Sequence, residues 1–106
     1  MRTADLTDAA LDWAVAKCEG KRDNDYGWWW DNFKPSTDWA QGGPIIERER
    51  IAANFSLKHQ LWFAENYTET KVESGPTPLI AAMRCYVASK LGDDIEIPTE
   101  LLGEMK

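Results

Sequence analysis

"SGPTPLIAAMRCYVASKLGDD", residues 74–94, decides the fold class. Thr77 can cap a helix with its hydroxyl, and Pro78 then takes the first helical position, where its missing N–H costs nothing. Gly92, after Lys90-Leu91, is the residue expected just past a helix end. Between these signals Leu79, Ile80, Met83, Tyr86, Val87 and Leu91 recur at helical spacing as a wide apolar stripe. The reverse side carries only Ala81, Ala82, Cys85, Ala88 and Ser89. Small side chains let another element approach closely, so this helix is expected to be covered on both sides. Its Ala81, Cys85 and Ala88 face is also the candidate surface for self-association into a homo-oligomer.

A second helix opens the chain. Leu6-Thr7-Asp8 places an N-cap and an anion where the helix dipole favours one, and Gly20 follows Cys18-Glu19 as the stop. Leu11, Ala14, Val15 and Cys18 form one stripe, while Trp13, with Ala9 and Ala16, lies nearly opposite. Two apolar faces predict a helix held between neighbours, or one that offers a face to another molecule.

The middle of the chain is less regular. Tyr26–Phe33 has the aromatic content of a strand, with Trp28 and Trp30 on one face. Pro35-Ser36-Thr37-Asp38-Trp39 reads as a helix start capped by Ser36 or Thr37. Pro44 would lose a hydrogen bond inside a helix and press on the carbonyl four residues back, which costs roughly 3 kcal/mol. Two pieces are therefore expected: a turn ending at Gly42, then a second helical segment beginning at Pro44. A strand is the competing reading of residues 44–51. Residues 54–57 and 61–67 form an antiparallel hairpin around Lys58-His59-Gln60, residues 68–75 a polar loop, and residues 95–99 an extended tail. Together these elements describe an α+β fold. It is a small single domain spanning residues 1–106, with helices packed on a short antiparallel sheet in the manner of an α-β-α sandwich.

Composition limits what such a domain can do. Eighteen acidic against twelve basic side chains leave a formal net charge of −6, with no basic block to displace counterions from a phosphate backbone. Direct nucleic-acid binding is not expected. No run reaches the ~18 apolar residues of a membrane span, and the two cysteines, Cys18 and Cys85, sit in helices without metal or redox spacing. No membrane association, metal or cofactor is expected, and the cytoplasm is the expected location.

His59 is the only histidine and stands in a turn without a group to orient it. The serines lack a nucleophile elbow, and Gly42-Gly43 matches neither a P-loop nor a dinucleotide fingerprint. With no catalytic constellation, the chain is expected not to be an enzyme. Two binding candidates stand out. One is the tryptophan-rich stretch with Trp28, Trp30, Trp39, Gly42 and Gly43, where indoles can stack on a planar ligand and glycine lets backbone come close. About two of the four indoles between residues 28 and 39 are expected in the core, the others rimming a pocket. The second is the helix start at Thr77, with Arg48 and Arg84 able to add charge-assisted bonds to an anion such as a small nucleotide.

Three segments also carry a resemblance: "LTDAALDWAVAKCEG" at 6–20, "PSTDWAQGGPIIERERI" at 35–51 and "GPTPLIAAMRCYVASKLGDD" at 75–94. In order and wording they resemble the NinX-like family of small phage proteins. The element order is also similar to small phage domains built as α-β-α sandwiches. The resemblance brings no catalytic or ligand residues. It implies a phage or prophage origin and action inside a bacterial host. Two functions are expected from it together with the residues. The first is an accessory protein that binds a host or phage protein. The second is a binder that sequesters a nucleotide signal of host defence.

Overall fold

A computed structural model describes residues 1–20, 32–66 and 71–97. A short 3-10 turn at Thr3–Asp5 leads into helix α1, Asp8–Cys18. Helix α2 spans Trp39–Glu49 and helix α3 spans Pro78–Leu91. Strands β1 (Ile51–Ser56), β2 (Leu61–Asn66) and β3 (Lys71–Gly75) form an antiparallel meander in the order β1-β2-β3. The fold is α+β. Among the described residues no helix is long and apolar enough to cross a membrane.

Helix α3 is the centre of the structure. Thr77 Oγ1 accepts from Ile80 N at 3.1 Å, Pro78 opens the helix, and Gly92 closes it with φ of 90°. Every residue from Ala81 to Ala88 is buried. The small-residue face meets the sheet: Cys85 Sγ lies 3.5 Å from the Lys71 carbonyl oxygen. A Cβ added to Gly75 would stand 2.8 Å from Ala81 N, so strand end and helix touch backbone to backbone. The expected cover on both sides is therefore present. It also corrects the self-association reading, because the Ala81, Cys85 and Ala88 face is filled by the chain's own sheet and offers nothing to a second copy. On its other sides α3 meets α1 and α2.

Helix α1 runs as expected, from an extended Thr7 to a left-handed Gly20, although the Thr7 side chain makes no capping bond. Both its apolar faces are inside: Leu11, Ala14 and Val15 on one, Trp13 and Ala16 on the other.

Helix α2 differs from expectation. It is one continuous helix with Pro44 in its interior, and its cap is Asp38, whose Oδ1 accepts from Ala40 N at 2.9 Å. Ser36 Oγ is buried and unpaired instead of capping. Two glycines explain the tolerance for proline. Part of a proline's clash with the preceding residue runs through that residue's Cβ, and Gly43 has none. Gly42 lets the helix press against its surroundings: a Cβ there would stand 2.4 Å from the Pro35 carbonyl oxygen and 2.5 Å from Leu79 Cδ1. Packing that close offsets one missing backbone bond. Residues 45–49 are thus helical, and the strand alternative applies only from Ile51.

The hairpin forms, with β1 starting earlier than expected, and turns through residues 57–60 with Gln60 left-handed at φ of 56°. Residues 71–75 are a strand and not a loop. They were unreadable because their pattern is inverted. Lys71, Glu73 and Gly75 share the face of the buried Ala64 and Asn66, while Val72, the lone large apolar residue, points out. Polar and charged groups facing inward are one way a sheet edge avoids pairing with other chains.

Candidate functional site

Among the described residues proposed as ligand groups, Gly43 lies beside Trp39 and Gly42 packs on Leu79 in the first turn after Thr77, while Arg48 and Arg84 are engaged with other groups. The strand reading of residues 26–33 rests mainly on positions outside the described residues, Trp28 and Trp30 among them. Trp39 is 55% exposed at the start of α2, with Gly43 beside its ring. Gly42 is occupied by packing, as above, and Thr77 Oγ1 by its own helix cap. The entry to α2 is held elsewhere too. Gln41 bridges Asp38, the Lys34 amide and the Asn32 carbonyl, and the buried Asp12 of α1 accepts from Ser36 N at 2.9 Å.

Arg48 belongs to a charged clamp where the end of α1, the end of α2 and the middle of α3 meet. Its guanidinium grips Glu19 through two bonds, of 3.1 and 2.6 Å, and donates to Glu49 at 2.8 Å. The group also sits 5.7 Å over the Tyr86 ring, whose hydroxyl donates to Glu19, and Lys90 Nζ lies 3.4 Å from Glu49. Burial, then the Glu19 carboxylate, raises the Tyr86 hydroxyl, and burial followed by Glu19 pushes the Cys18 thiol up to about 12. The clamp is chemically quiet: its carboxylates are consumed by cations. An anionic ligand would have to displace Glu19 and Glu49 to reach Arg48.

Arg84 is buried and works inward. Nε donates to the Leu6 carbonyl and NH1 to the Ser74 carbonyl, both at 2.8 Å, so one side chain ties the approach to α1 to the end of β3. Burial lowers the pKa of this guanidinium, while Asp5 and Glu73 oppose the shift. Near it a polar cavity of about 270 Å³ opens between the N-terminal turn and β3. Arg2, Lys71, Glu73 and Asp93 line it, and Lys71 Nζ lies 3.5 Å from Asp93. Opposite charges balance there, so the cavity favours neither an anion nor a cation.

Further exposed apolar surface lies on the sheet and its hairpin turn. The register puts Ile51, Ala53, Trp62, Ala64 and Gly75 on the inner face against α3, and Asn54, Leu61, Phe63, Glu65 and Val72 on the outer one. Val72 is 53% exposed and Leu57, in the turn, 78%. Phe55 packs edge-on against Trp62 at 5.3 Å and His59 edge-on against Phe63 at 5.7 Å, giving the hairpin end an aromatic skeleton. A hollow of about 130 Å³ is set among Asn54, Phe63, Ala64, Glu65 and Val72. None of the residues lining this hollow is singled out by the sequence. The signal was present: Leu61, Trp62 and Phe63 are apolar at consecutive positions, so a two-sided strand must present some of them outward.

A family model described as "Bacteriophage P22, NinX" matches residues 2–90, most of the chain and nearly all of the described fold. No curated protein matches it.

Proposed function

Because the chain belongs to this NinX family of phage proteins, we propose that it is an accessory protein that works by binding another protein, of the phage or its host, in the bacterial cytoplasm. The reading involves no turnover of substrate. One observation carries it: the outer sheet face and hairpin end set the exposed Leu57 and Val72 beside the half-buried Leu61 and Phe63 on a small domain. Exposed apolar patches of this kind mark interaction sites, since singly scattered apolar residues are the norm elsewhere. A rigid, three-stranded platform also limits the ordering cost of association. The nucleotide-sequestering alternative keeps only its tryptophan and glycine stretch, because Thr77, Arg48 and Arg84 are each engaged within the chain.

The test is a photo-activated cross-linker placed at Leu57 or Val72 in phage-infected cells. We expect one protein to be trapped reproducibly from both positions, and Phe63→Ser to abolish trapping while leaving the circular dichroism of the domain unchanged. Trapping that is diffuse, or indifferent to Phe63, would count against the sheet as the binding surface.

A further inference from the structure

We infer that the hollow on the outer sheet face receives an arginine or lysine side chain of the partner. The inference rests on the protein-binding reading above and names the chemistry of its contact. Size comes first. At about 130 Å³ the hollow is well below the roughly 300–1,000 Å³ of pockets that hold small-molecule ligands. It has room for one side chain. Its walls come next. Phe63 and Val72 are apolar, Asn54 offers an amide, and Glu65 supplies a carboxylate. The register places these four on one face of the sheet, with Glu65 opposite Val72 and Asn54 opposite Phe63. An apolar wall ending in a carboxylate suits a side chain with a hydrocarbon stem and a cationic head, and arginine and lysine alone have that form.

Charge points the same way. Among the described residues no lysine or arginine forms an ion pair with Glu65, whereas Glu19, Glu49 and Asp93 are each paired. Among the described residues no cation lines the hollow, and the chain as a whole carries −6. A partner with a cation flanked by apolar residues would therefore be steered to the domain and seated at this point.

Two capped tripeptides, acetyl-Leu-Arg-Leu-amide and acetyl-Leu-Gln-Leu-amide, test the inference by NMR titration of the full chain. The arginine peptide should give saturable shifts at the amides of Asn54, Phe63, Glu65 and Val72, and bind more tightly than the glutamine peptide. Glu65→Gln should weaken the arginine peptide by about fivefold, as expected for a partly exposed ion pair, and leave the glutamine peptide unchanged. Glu65→Lys should shift preference to acetyl-Leu-Glu-Leu-amide. Equal affinity for the arginine and glutamine peptides would overturn the cation inference while leaving protein docking on this face intact. Silence at these four amides with both peptides would overturn it as well. The docking reading itself stands or falls on the cross-linking experiment.

Discussion

Gly42 of α2 is pressed against Leu79 of α3, so closely that a Cβ on the glycine would stand 2.5 Å from Leu79 Cδ1 and 2.4 Å from the Pro35 carbonyl oxygen. The backbone contact cannot yield as a flexible side chain would. Gly42→Ala is therefore expected to destabilise the domain by about 1–3 kcal/mol through overpacking. At Gly43 the added Cβ would meet only Trp39 Cε3, at an ordinary 3.9 Å. Gly43→Ala should stay within about 1 kcal/mol of the parent, because helix propensity favours alanine while the following proline opposes it. Urea midpoints of the two variants should differ clearly. Equal midpoints would mean that this close contact does not set the position of α2.

Arg84 joins the buried Leu6 carbonyl to the partly buried Ser74 carbonyl, so removing it takes the donor from both. Arg84→Met keeps much of the side-chain volume but leaves the Leu6 and Ser74 oxygens without the guanidinium, for an expected loss of roughly 2–4 kcal/mol. Arg84→Lys should recover part of that, since an ammonium is a point donor and cannot span two acceptors as a planar fork does. Chemical denaturation measures both. A methionine variant as stable as the parent would show that the two bonds contribute nothing net.

Two carboxyl groups should shape the acid limb of stability in opposite senses. Glu49 is held below its ordinary value of 4.5, first by the hydrogen bond from Arg48. Its contribution to stability is present above 4.5 and is lost as pH falls through the depressed folded value. Glu49→Gln should lower the urea midpoint at neutral pH and match the parent in strong acid. Glu73 is displaced upward from 4.5, first by burial and then by the Asp93 charge. Its ionisation opposes folding at neutral pH, and the opposition fades as pH falls through the raised value toward 4.5 and below. Glu73→Gln should raise the melting temperature at neutral pH, by less and less on acidification.

Both thiols should resist alkylation. Burial raises Cys85 from 9.0 to about 11, with Glu73 and Glu65 adding to it, and Cys18 stands higher still. The thiolate is the reacting form. Iodoacetamide at mildly alkaline pH should modify the native chain far more slowly than the urea-unfolded chain. Rapid labelling of Cys85 in the native state would mean that α3 and β3 separate readily.

What could be read from sequence follows from where the physical signal resides. The bounds of α3 are local: Thr77, Pro78 and Gly92 each act on their own backbone, so the helix was legible to the residue. Strand β3 was not, because its inward positions are Lys71, Glu73 and Gly75 and only the partner strand reveals that they face the core. Pro44 suggested a break that tertiary contact at Gly42 overrides. The arginines misled for a similar reason. Arg84 finds an acceptor 78 residues away in Leu6, and Arg48 finds Glu19 29 residues away. A cation looks available for a ligand until the fold has supplied its partners. The hairpin is legible as two apolar runs around a polar turn, but which of Leu61, Trp62 and Phe63 faces outward depends on the register with β1 and β3.

The placement of α3 has a consequence for how the molecule is made. Every other described element precedes this helix in the chain, yet the sheet and both remaining helices lean on it. While a ribosome is still short of Pro78, the emerging meander has nothing to dry its inner face, and α1 has lost its largest neighbour. Until that late segment arrives, the apolar inner face of the meander stays open to chaperones and proteases. A translation stall upstream of that codon would leave the sheet and the other two described helices without the helix they pack on.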